Sequence, residues 1–561
     1  MLWKPQHTFC CLIGAGDSGK STILDAVEAA LNSRWFSFTE SDFLGCNTAK
    51  SIEIEITVGE LSRPLKSDER FGLYIRGWTP EGNLRDEPFN GDEPVLTVRL
   101  SVDATLEPVW ELVCERLENT RTISNRDRAL FGLVRLAGDD ARHLAWGQGS
   151  VLSRLTGDNS EAAARLAEAY RAARDSAKLN EIEALAKTAT AAEGFAKGLG
   201  AYVDGHYGPG LELGRTGLSS GAIALHDDGV PIRLAGLGTR RLATLAIQKS
   251  AIAEGAIILI DEIEHGLEPH RIIGAISQLK AGQTASTAAA QPVGQVLLTT
   301  HSDIALGECG CDGLHVVQLS RPERVLTARK PTSPDPIRPL MRFNPRALFA
   351  RRILVCEGMT EVGLLLGVRE FWPPRHGGKP MEQLSTALAD GNGSEAASMA
   401  LGLAGLGYQT AIFMDSDVPL AHQIVQELAA ANVAVFEYGT GTGINTELAI
   451  FSAAPDLYVQ QLLTIARQNH GTDSINDSLI PKITGLNSTN AQFDFSTWST
   501  ATGINGSNLR ALIAEVAKRK KWFKDQRYGR EIGPVIWNIL SSDHNSHLCR
   551  VLMQVEGWIY A

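Results

Sequence analysis

No apolar run reaches about 18 residues, so the sequence predicts no membrane-spanning helix. The opening residues lack the charged-then-apolar order of an export signal, and the expectation is a cytoplasmic protein. Cysteine is sparse and scattered, 8 in 561 residues. Cys309-Gly-Cys311 has no second pair at zinc spacing, so a structural zinc site is not expected and the thiols read as reduced and mostly buried. No period of about 20–50 residues recurs, which excludes a solenoid or propeller. Positive charge is in deficit, with 53 Lys and Arg against 64 Asp and Glu. A net charge of -11 argues against non-specific nucleic-acid binding by the whole surface, though it leaves room for a local basic groove.

What is present begins with Gly14-Ala-Gly16-Asp17-Ser18-Gly19-Lys20-Ser21-Thr22, which fits G-x-x-x-x-G-K-[ST]. Phe9 to Ile13 leads in as a buried strand, and Thr22 to Leu31 leads out with helical apolar spacing. Such a loop turns its backbone N–H groups around a β-phosphate, and the following helix aims its positive end at the same anion. Gly14, Gly16, Asp17, Ser18, Gly19, Lys20, Ser21 and Thr22 are therefore the candidate ATP-binding residues. Lys20 would reach the β- and γ-phosphates, and Ser21 would hold Mg²⁺.

The length allows three or four domains by the usual size of a core. Ser51 to Val58 alternates as a strand, residues 62–94 are loop-rich, and Val95 to Val102 is another strand. From about 107 to 200 the pattern reads helical, with Ser160 to Lys197 as two helices. That stretch could be a dimerisation element or a lid on its own domain. Strands return at Ala222 to Leu225 and Ile232 to Leu234, and a helix follows to about Ala253. Ala256 to Ile260 is an apolar strand ending in Asp261-Glu262, the Walker B pattern, followed by a helix over about 269–280 and an exposed low-complexity loop, Gln283 to Pro292. Asp261 would complete the Mg²⁺ shell, and Glu262 would polarise the attacking water at the strand end where an α/β sheet puts its ligand. Val296 to Thr300 is a further buried strand, ending in His301. The prolines of residues 330–346 mark the main boundary. Beyond it, strands at Arg352 to Cys356, Thr410 to Met414 and Val433 to Phe436 restart an α/β pattern, and residues from 446 read mostly as helix with a polar loop at about 485–508.

The first set of motifs resembles an ABC/SMC-type ATPase head. In that family His301 would be the switch histidine that senses the γ-phosphate, and a partner head's signature loop caps the nucleotide. The match to that loop is Leu234-Ala-Gly-Leu-Gly238-Thr-Arg-Arg241, with Ala235 where the family has serine. No Q-loop glutamine is found, and Asp42 is the candidate for the lid. The resemblance implies at least a homodimer.

A second centre follows the boundary. Glu357-Gly-Met-Thr-Glu361 follows one strand, and Asp415-Ser-Asp417 follows another. Positions four apart on a helix share a face, so Glu361 can stand beside Glu357. Four converging carboxylates need protons or divalent cations to coexist, and oxygen-only ligands suit Mg²⁺ or Mn²⁺. Glu447 is a fifth candidate ligand. This order resembles a TOPRIM domain, and a head followed by TOPRIM is the layout of the OLD (overcoming lysogenisation defect) nucleases, to which the Gabija anti-phage nuclease is related. That family steadies the cleaved phosphate with a downstream basic residue. Here Lys524 and then Lys521 are preferred, in a basic stretch interleaved with Trp522 and Phe523 that suits a phosphate backbone.

The expected architecture is α/β. Residues 1–106 and 216–335 form an ABC-type P-loop ATPase domain, 107–215 a helical insertion, 336–450 a TOPRIM domain and 451–561 a C-terminal helical part. The expected activity is ATP-regulated, metal-dependent cleavage of DNA in anti-phage defence, with a further defence partner protein open. The competing readings are a non-cutting SMC-like clamp and a TOPRIM ribonuclease.

Overall fold

A computed structural model describes the chain apart from residues 6, 33–35, 137–170, 173, 212–222, 232–233, 253–255, 289–293, 440–442 and 543–545. The fold is α/β, as the sequence predicts, and it divides into two compact units. Residues 2–12 and 19–309 form one, and residues 13–18 and 310–561, with Met1, form the other.

The first unit holds β1 (Phe9–Ile13) up to Leu12, and the strand is buried throughout, as an unbroken apolar strand covered on both faces should be. It runs parallel to β3 (Gln295–Thr299). β3 pairs in parallel with β2 (Ile257–Ile260), and β2 in turn with Leu133–Leu136. Parallel neighbours need crossovers. The helix Pro269–Ala288 provides the one between β2 and β3, and α1 (Lys20–Leu31) follows β1. The carboxyl ends of β1, β2 and β3 therefore lie side by side, which is what positions the first site.

An antiparallel sheet covers α1. Ile52–Val58 pairs with Glu93–Val102, which also pairs with Pro108–Leu112 and Arg76–Trp78. Half-buried Ile52, Ile54 and Ile56 alternate with exposed Glu53 and Glu55. The indole of Trp110 donates to the Ala29 carbonyl of α1 at 2.9 Å, tying the sheet to the helix.

The helical expectation for residues 107–215 fails at its start. Pro108–Leu112, Arg121–Thr122 and Leu133–Leu136 are strands, and the only helix among them is the short Asn125–Ala129. The physical reason is the two-residue alternation of buried Pro108, Trp110 and Leu112, which matches a strand against the sheet. Of the two helices expected in Ser160 to Lys197, residues 160–170 lie outside the described residues, and Glu183–Gly198 is a helix. The loop expected from Gln283 is helical to Ala288. Gln283 is buried, and its amide donates to the carbonyls of Thr8 at 2.6 Å and Gly294 at 3.0 Å.

The second unit is built on four parallel strands. In spatial order they are β5 (Thr386–Asp390), β4 (Arg352–Cys356), β6 (Gln409–Asp415) and β7 (Ala434–Tyr438). Around them pack α2 (Met359–Val368), α3 (Thr446–Ala453), α4 (Gly506–Lys520), α5 (Gln526–Ser542) and α6 (His547–Tyr560). Helices α2 and α5 cross at glycines. A Cβ on Gly367 would stand 2.5 Å from the Arg530 carbonyl oxygen, and one on Gly533 would stand 2.4 Å from the Gly367 Cα. The polar stretch expected as a loop over 485–508 contains the helix Phe495–Thr502, anchored by fully buried Trp498. Among the described residues, no helix is long and apolar enough to cross a membrane.

Candidate functional site

The phosphate loop begins at Gly14, whose φ of 154° and tight surroundings admit only glycine. A Cβ there would land on the Val317 carbonyl oxygen. Asp17 and Gly19 are left-handed, with φ of 56° and 90°. Ser18 and Lys20 are buried, and Lys20 opens α1. Ser21 Oγ donates to Asp261 Oδ1 at 3.1 Å, so the two expected Mg²⁺ ligands already touch. Gly16 and Thr22 lie in the loop and the first turn of α1.

Thr299, the last residue of β3, organises the Walker B turn. Its hydroxyl donates to Asp261 Oδ1 at 2.6 Å and accepts the Glu262 backbone N–H at 2.8 Å. Glu262 has φ of 47°, an uncommon conformation for a residue with a side chain, and that side chain stays half exposed. The buried Arg241 guanidinium holds the same turn, donating to the carbonyls of Asp261 at 2.6 Å and Glu262 at 3.0 Å. Arg241 is the last residue of the stretch read as the signature loop. Here it serves its own Walker B strand, while Leu234 and Leu237 remain exposed.

Thr300 Oγ1 and the His301 backbone N–H both donate to the Glu264 carboxylate, each at 2.6 Å. Partial burial, and then the charge of Lys20, hold the His301 imidazole below its ordinary pKa, so the ring is neutral near pH 7. Asp42 caps its own short turn, accepting from the Thr39 backbone at 2.8 Å.

Sequence reasoning missed Arg135. From the strand beside β2 its buried guanidinium reaches Glu28 Oε2 at 2.9 Å and Asp261 Oδ2 at 3.3 Å, and it also pairs with Asp25. One oxygen of Asp261 thus faces Ser21 and Thr299, and the other faces Arg135. The only sequence signal was a lone cation inside Leu133-Val-Arg-Leu136.

In the second unit, Glu357 follows β4, and Asp415 ends β6 with Asp417 two residues on. Each offers a carboxylate oxygen, and these atoms lie within 4.8 Å of one another. Backbone donors hold the group: Asp415 N–H to Glu357 Oε2, and Asp417 N–H to Asp415 Oδ1, both at 3.1 Å. Burial, and then the charges of Glu357 and Asp417, push the Asp415 carboxyl up to about 8. Burial and the neighbouring acids also raise Glu357. Burial acts to raise Asp417 as well, but hydrogen bonds from Lys518 and Asp415 and the charges of Lys518 and Lys524 hold it below its ordinary value.

Glu361 is set apart from this trio. Its Oε2 accepts the Gly358 N–H at 3.0 Å. Its Oε1 accepts the hydroxyls of Tyr438 at 2.8 Å and Thr446 at 2.6 Å. Both oxygens are taken, and Thr446 stands 3.5 Å from Asp415 Oδ2, so Glu361 braces the trio from behind. Glu447, buried in the first turn of α3, is raised by burial first and then by Glu361, in the same field as Lys518 and Lys524.

Of the basic residues, Lys518 touches the trio, with Nζ 3.0 Å from Asp417 Oδ2. Lys524 is exposed, and its charge acts on Glu357, Asp417 and Glu447. Lys521 is the exposed C-cap of α4 with φ of 57°. The interleaved aromatics need correction: Trp522 and Phe523 are fully buried core residues that offer no stacking face to a nucleic acid. The apolar side of α4 and its following turn, not a ligand, selected them.

Residues 149–307 match the family described as "AAA domain, putative AbiEii toxin, Type IV TA system". With Gly19, Lys20 and Ser21 of the motif, the Walker B pair and the parallel sheet, the first unit has the character of a P-loop ATPase domain. Among solved structures, an Smc head bound to the C-terminal winged-helix domain of ScpA is similar at 15% identity over 58% of this chain and 90% of that one, with a TM-score of 0.32. The SMC head domain from Thermotoga maritima aligns at 17% identity over 57% of this chain and 89% of that one, with a TM-score of 0.26. The C-terminal region of the OLD protein from Xanthomonas campestris pv. campestris aligns at 14% identity over 38% of this chain and 96% of that one, with a TM-score of 0.21. No curated protein matches.

Proposed function

We propose that the protein is an ATP-regulated, divalent-metal-dependent DNA endonuclease of the OLD type, with a TOPRIM-like metal centre in its second unit. The observation that carries this reading is the convergence of Glu357, Asp415 and Asp417, with ligand oxygens within 4.8 Å, beside Lys518. Carboxylates this close repel, and burial first, then that repulsion, raises Asp415 to about 8, so a cation that offsets the crowded negative charge would be favoured there. An all-oxygen donor set suits Mg²⁺ or Mn²⁺. Bound there, a divalent ion would supply an activated water at neutral pH and charge for the leaving oxygen.

The chain's own residues take the other parts. Glu357, Asp415 and Asp417 hold the metal, while Glu447, expected as a further ligand, is not among the carboxylates whose oxygens converge within 4.8 Å. Tyr438 and Thr446 fix Glu361, which braces Asp415. Lys518 and Lys524 offer positive charge to the scissile phosphate. In the ATPase domain, Lys20 and the loop amides hold the nucleotide phosphates, Ser21 and Asp261 hold Mg²⁺, Glu262 orients water, and neutral His301 faces the γ-phosphate. A homodimer that closes over the nucleotide belongs to this proposal; light scattering that finds only monomer with and without ATP would contradict it. So do an anti-phage setting and a defence partner protein, with which the toxin wording of the matched family agrees.

The test is purified protein incubated with supercoiled plasmid and with tRNA, with and without Mn²⁺ and ATP. Asp415→Ala should lose about 100-fold or more of the cleavage, above what indirect changes around a metal cost. Its ATP hydrolysis should stay near that of the wild type. Equal, poor degradation by both proteins defeats the nuclease reading and favours the clamp. Cleavage of tRNA alone makes the enzyme a ribonuclease.

A further inference from the structure

A second feature of the 310–561 unit lies apart from the carboxylates. Residues 321–352 hold eight arginines and Lys330 against only Glu323 and Asp335, in a chain where acids outnumber bases 64 to 53. The excess is sharpest on the short helix Arg338–Phe343 and the turn after it. Arg338 and Arg342, four apart, share one helix face, and Arg346 follows at the same interval. All three are exposed. Asp335 pairs with Arg338 at 3.3 Å.

Phe343 stands among them with 76% of its surface open, unusual for an aromatic side chain. The Arg342 guanidinium lies 5.4 Å from its ring centroid. The next residue anchors this segment to the sheet: Asn344 Nδ2 donates to the Leu388 carbonyl of β5 at 2.8 Å. Leu388 pairs with Leu354, three residues before Glu357. At about 3.3 Å per residue along a strand and 4.8 Å between strands, the anchor is about 10–15 Å from the acidic trio. That is three or four base pairs at a rise of about 3.4 Å.

We infer that Arg338, Arg342, Phe343 and Arg346 form a docking surface for nucleic acid, on which arginines neutralise backbone phosphates and Phe343 stacks on an unpaired base flanking the cleavage point. Cations alternating with an open aromatic ring are the chemistry of single-strand binding, because every base offers a π-face and every linkage a charge. The inference deepens the nuclease reading and rests on it for the position of the cut.

The experiment measures anisotropy of a labelled oligonucleotide of about 20 nucleotides, single-stranded and duplex, against salt concentration. The full chain carrying Asp415→Ala prevents cleavage. Adding Arg338→Gln with Arg342→Gln should weaken binding about 10-fold or more and lower the slope of log K against log salt by about 2. Adding Phe343→Ala should weaken single-strand binding about 5-fold or more and duplex binding less. Thermal unfolding should be unchanged, since all three side chains are exposed. Binding and slope within about two-fold of the parent in both variants overturn the inference. So does polyglutamate bound as tightly as DNA with no effect of Phe343→Ala, which would mark an acidic protein partner instead. If the wild type cleaves nothing while the variants lose DNA binding, the nuclease reading fails and the surface stands. If the wild type cleaves and the variants bind unchanged, the surface fails alone.

Discussion

Lys518 Nζ lies 3.0 Å from Asp417 Oδ2, a pair drawn from α4 and the end of β6 across 101 residues of sequence. The hydrogen bond to Asp417, more than any other contact, raises the Lys518 ammonium above its usual pKa. A cation so placed can pass from the carboxylate to a substrate phosphate when a metal ion takes over Asp417. Lys518→Ala should therefore cut cleavage about 10-fold or more while Mn²⁺ affinity holds or rises. Plasmid nicking and Mn²⁺ calorimetry check this. A larger loss in Lys524→Ala than in Lys518→Ala would return the phosphate contact to Lys524.

The Asp415 carboxyl, raised to about 8 in the folded protein, makes a pH prediction for the metal-free state. An acid whose folded pKa exceeds its unfolded value of about 3.9 binds more protons folded than unfolded. Metal-free stability should then fall as pH rises from about 4 to 8, by a few kcal/mol at most. Asp415→Asn should flatten that slope, and metal affinity of the wild type should climb through the same window as the proton leaves. Urea titrations at several pH values in chelator read the first effect. A slope identical in Asp415→Asn would locate the proton elsewhere.

Lys20→Ala should abolish nucleotide binding, because backbone amides alone do not offset the phosphate charge. Glu262→Gln should bind ATP and hydrolyse it slowly. Fluorescent-nucleotide binding and phosphate release separate the two. An unchanged hydrolysis rate in Glu262→Gln would remove its assignment to the water.

Arg135 reaches Asp261 Oδ2 at 3.3 Å, so it sets how the other oxygen of that carboxylate meets Ser21. Arg135→Met should raise the Mg²⁺ concentration needed for half-maximal ATP hydrolysis by about 10-fold, with partial rescue by Arg135→Lys. The rescue is partial because an ammonium cannot fork to three acids. A Mg²⁺ titration at saturating ATP decides it. A loss of hydrolysis with an unaltered Mg²⁺ midpoint would make Arg135 a structural brace only.

What the sequence by itself determined is local. Gly14 to Thr22 carry their geometry in their own residue types, since only glycine tolerates the backbone at Gly14 and a lysine followed by a hydroxyl residue completes the cradle. Asp261-Glu262 and Asp415-Ser-Asp417 are legible because each follows a buried apolar strand, and strand ends are where α/β sheets gather function. Tertiary structure decided the rest. Alternation around Trp110 overrode helical composition once a sheet edge was there to pair with. Glu361 was drawn from the acidic group by the hydroxyls of Tyr438 and Thr446, the latter 85 residues away. Arg135 meets Asp261 across 126 residues. Lys518, rather than Lys521, meets Asp417 because α4 presents that face to β6 and ends at Lys520. No short window of sequence holds both partners of such pairs, so packing alone brings them within hydrogen-bond reach.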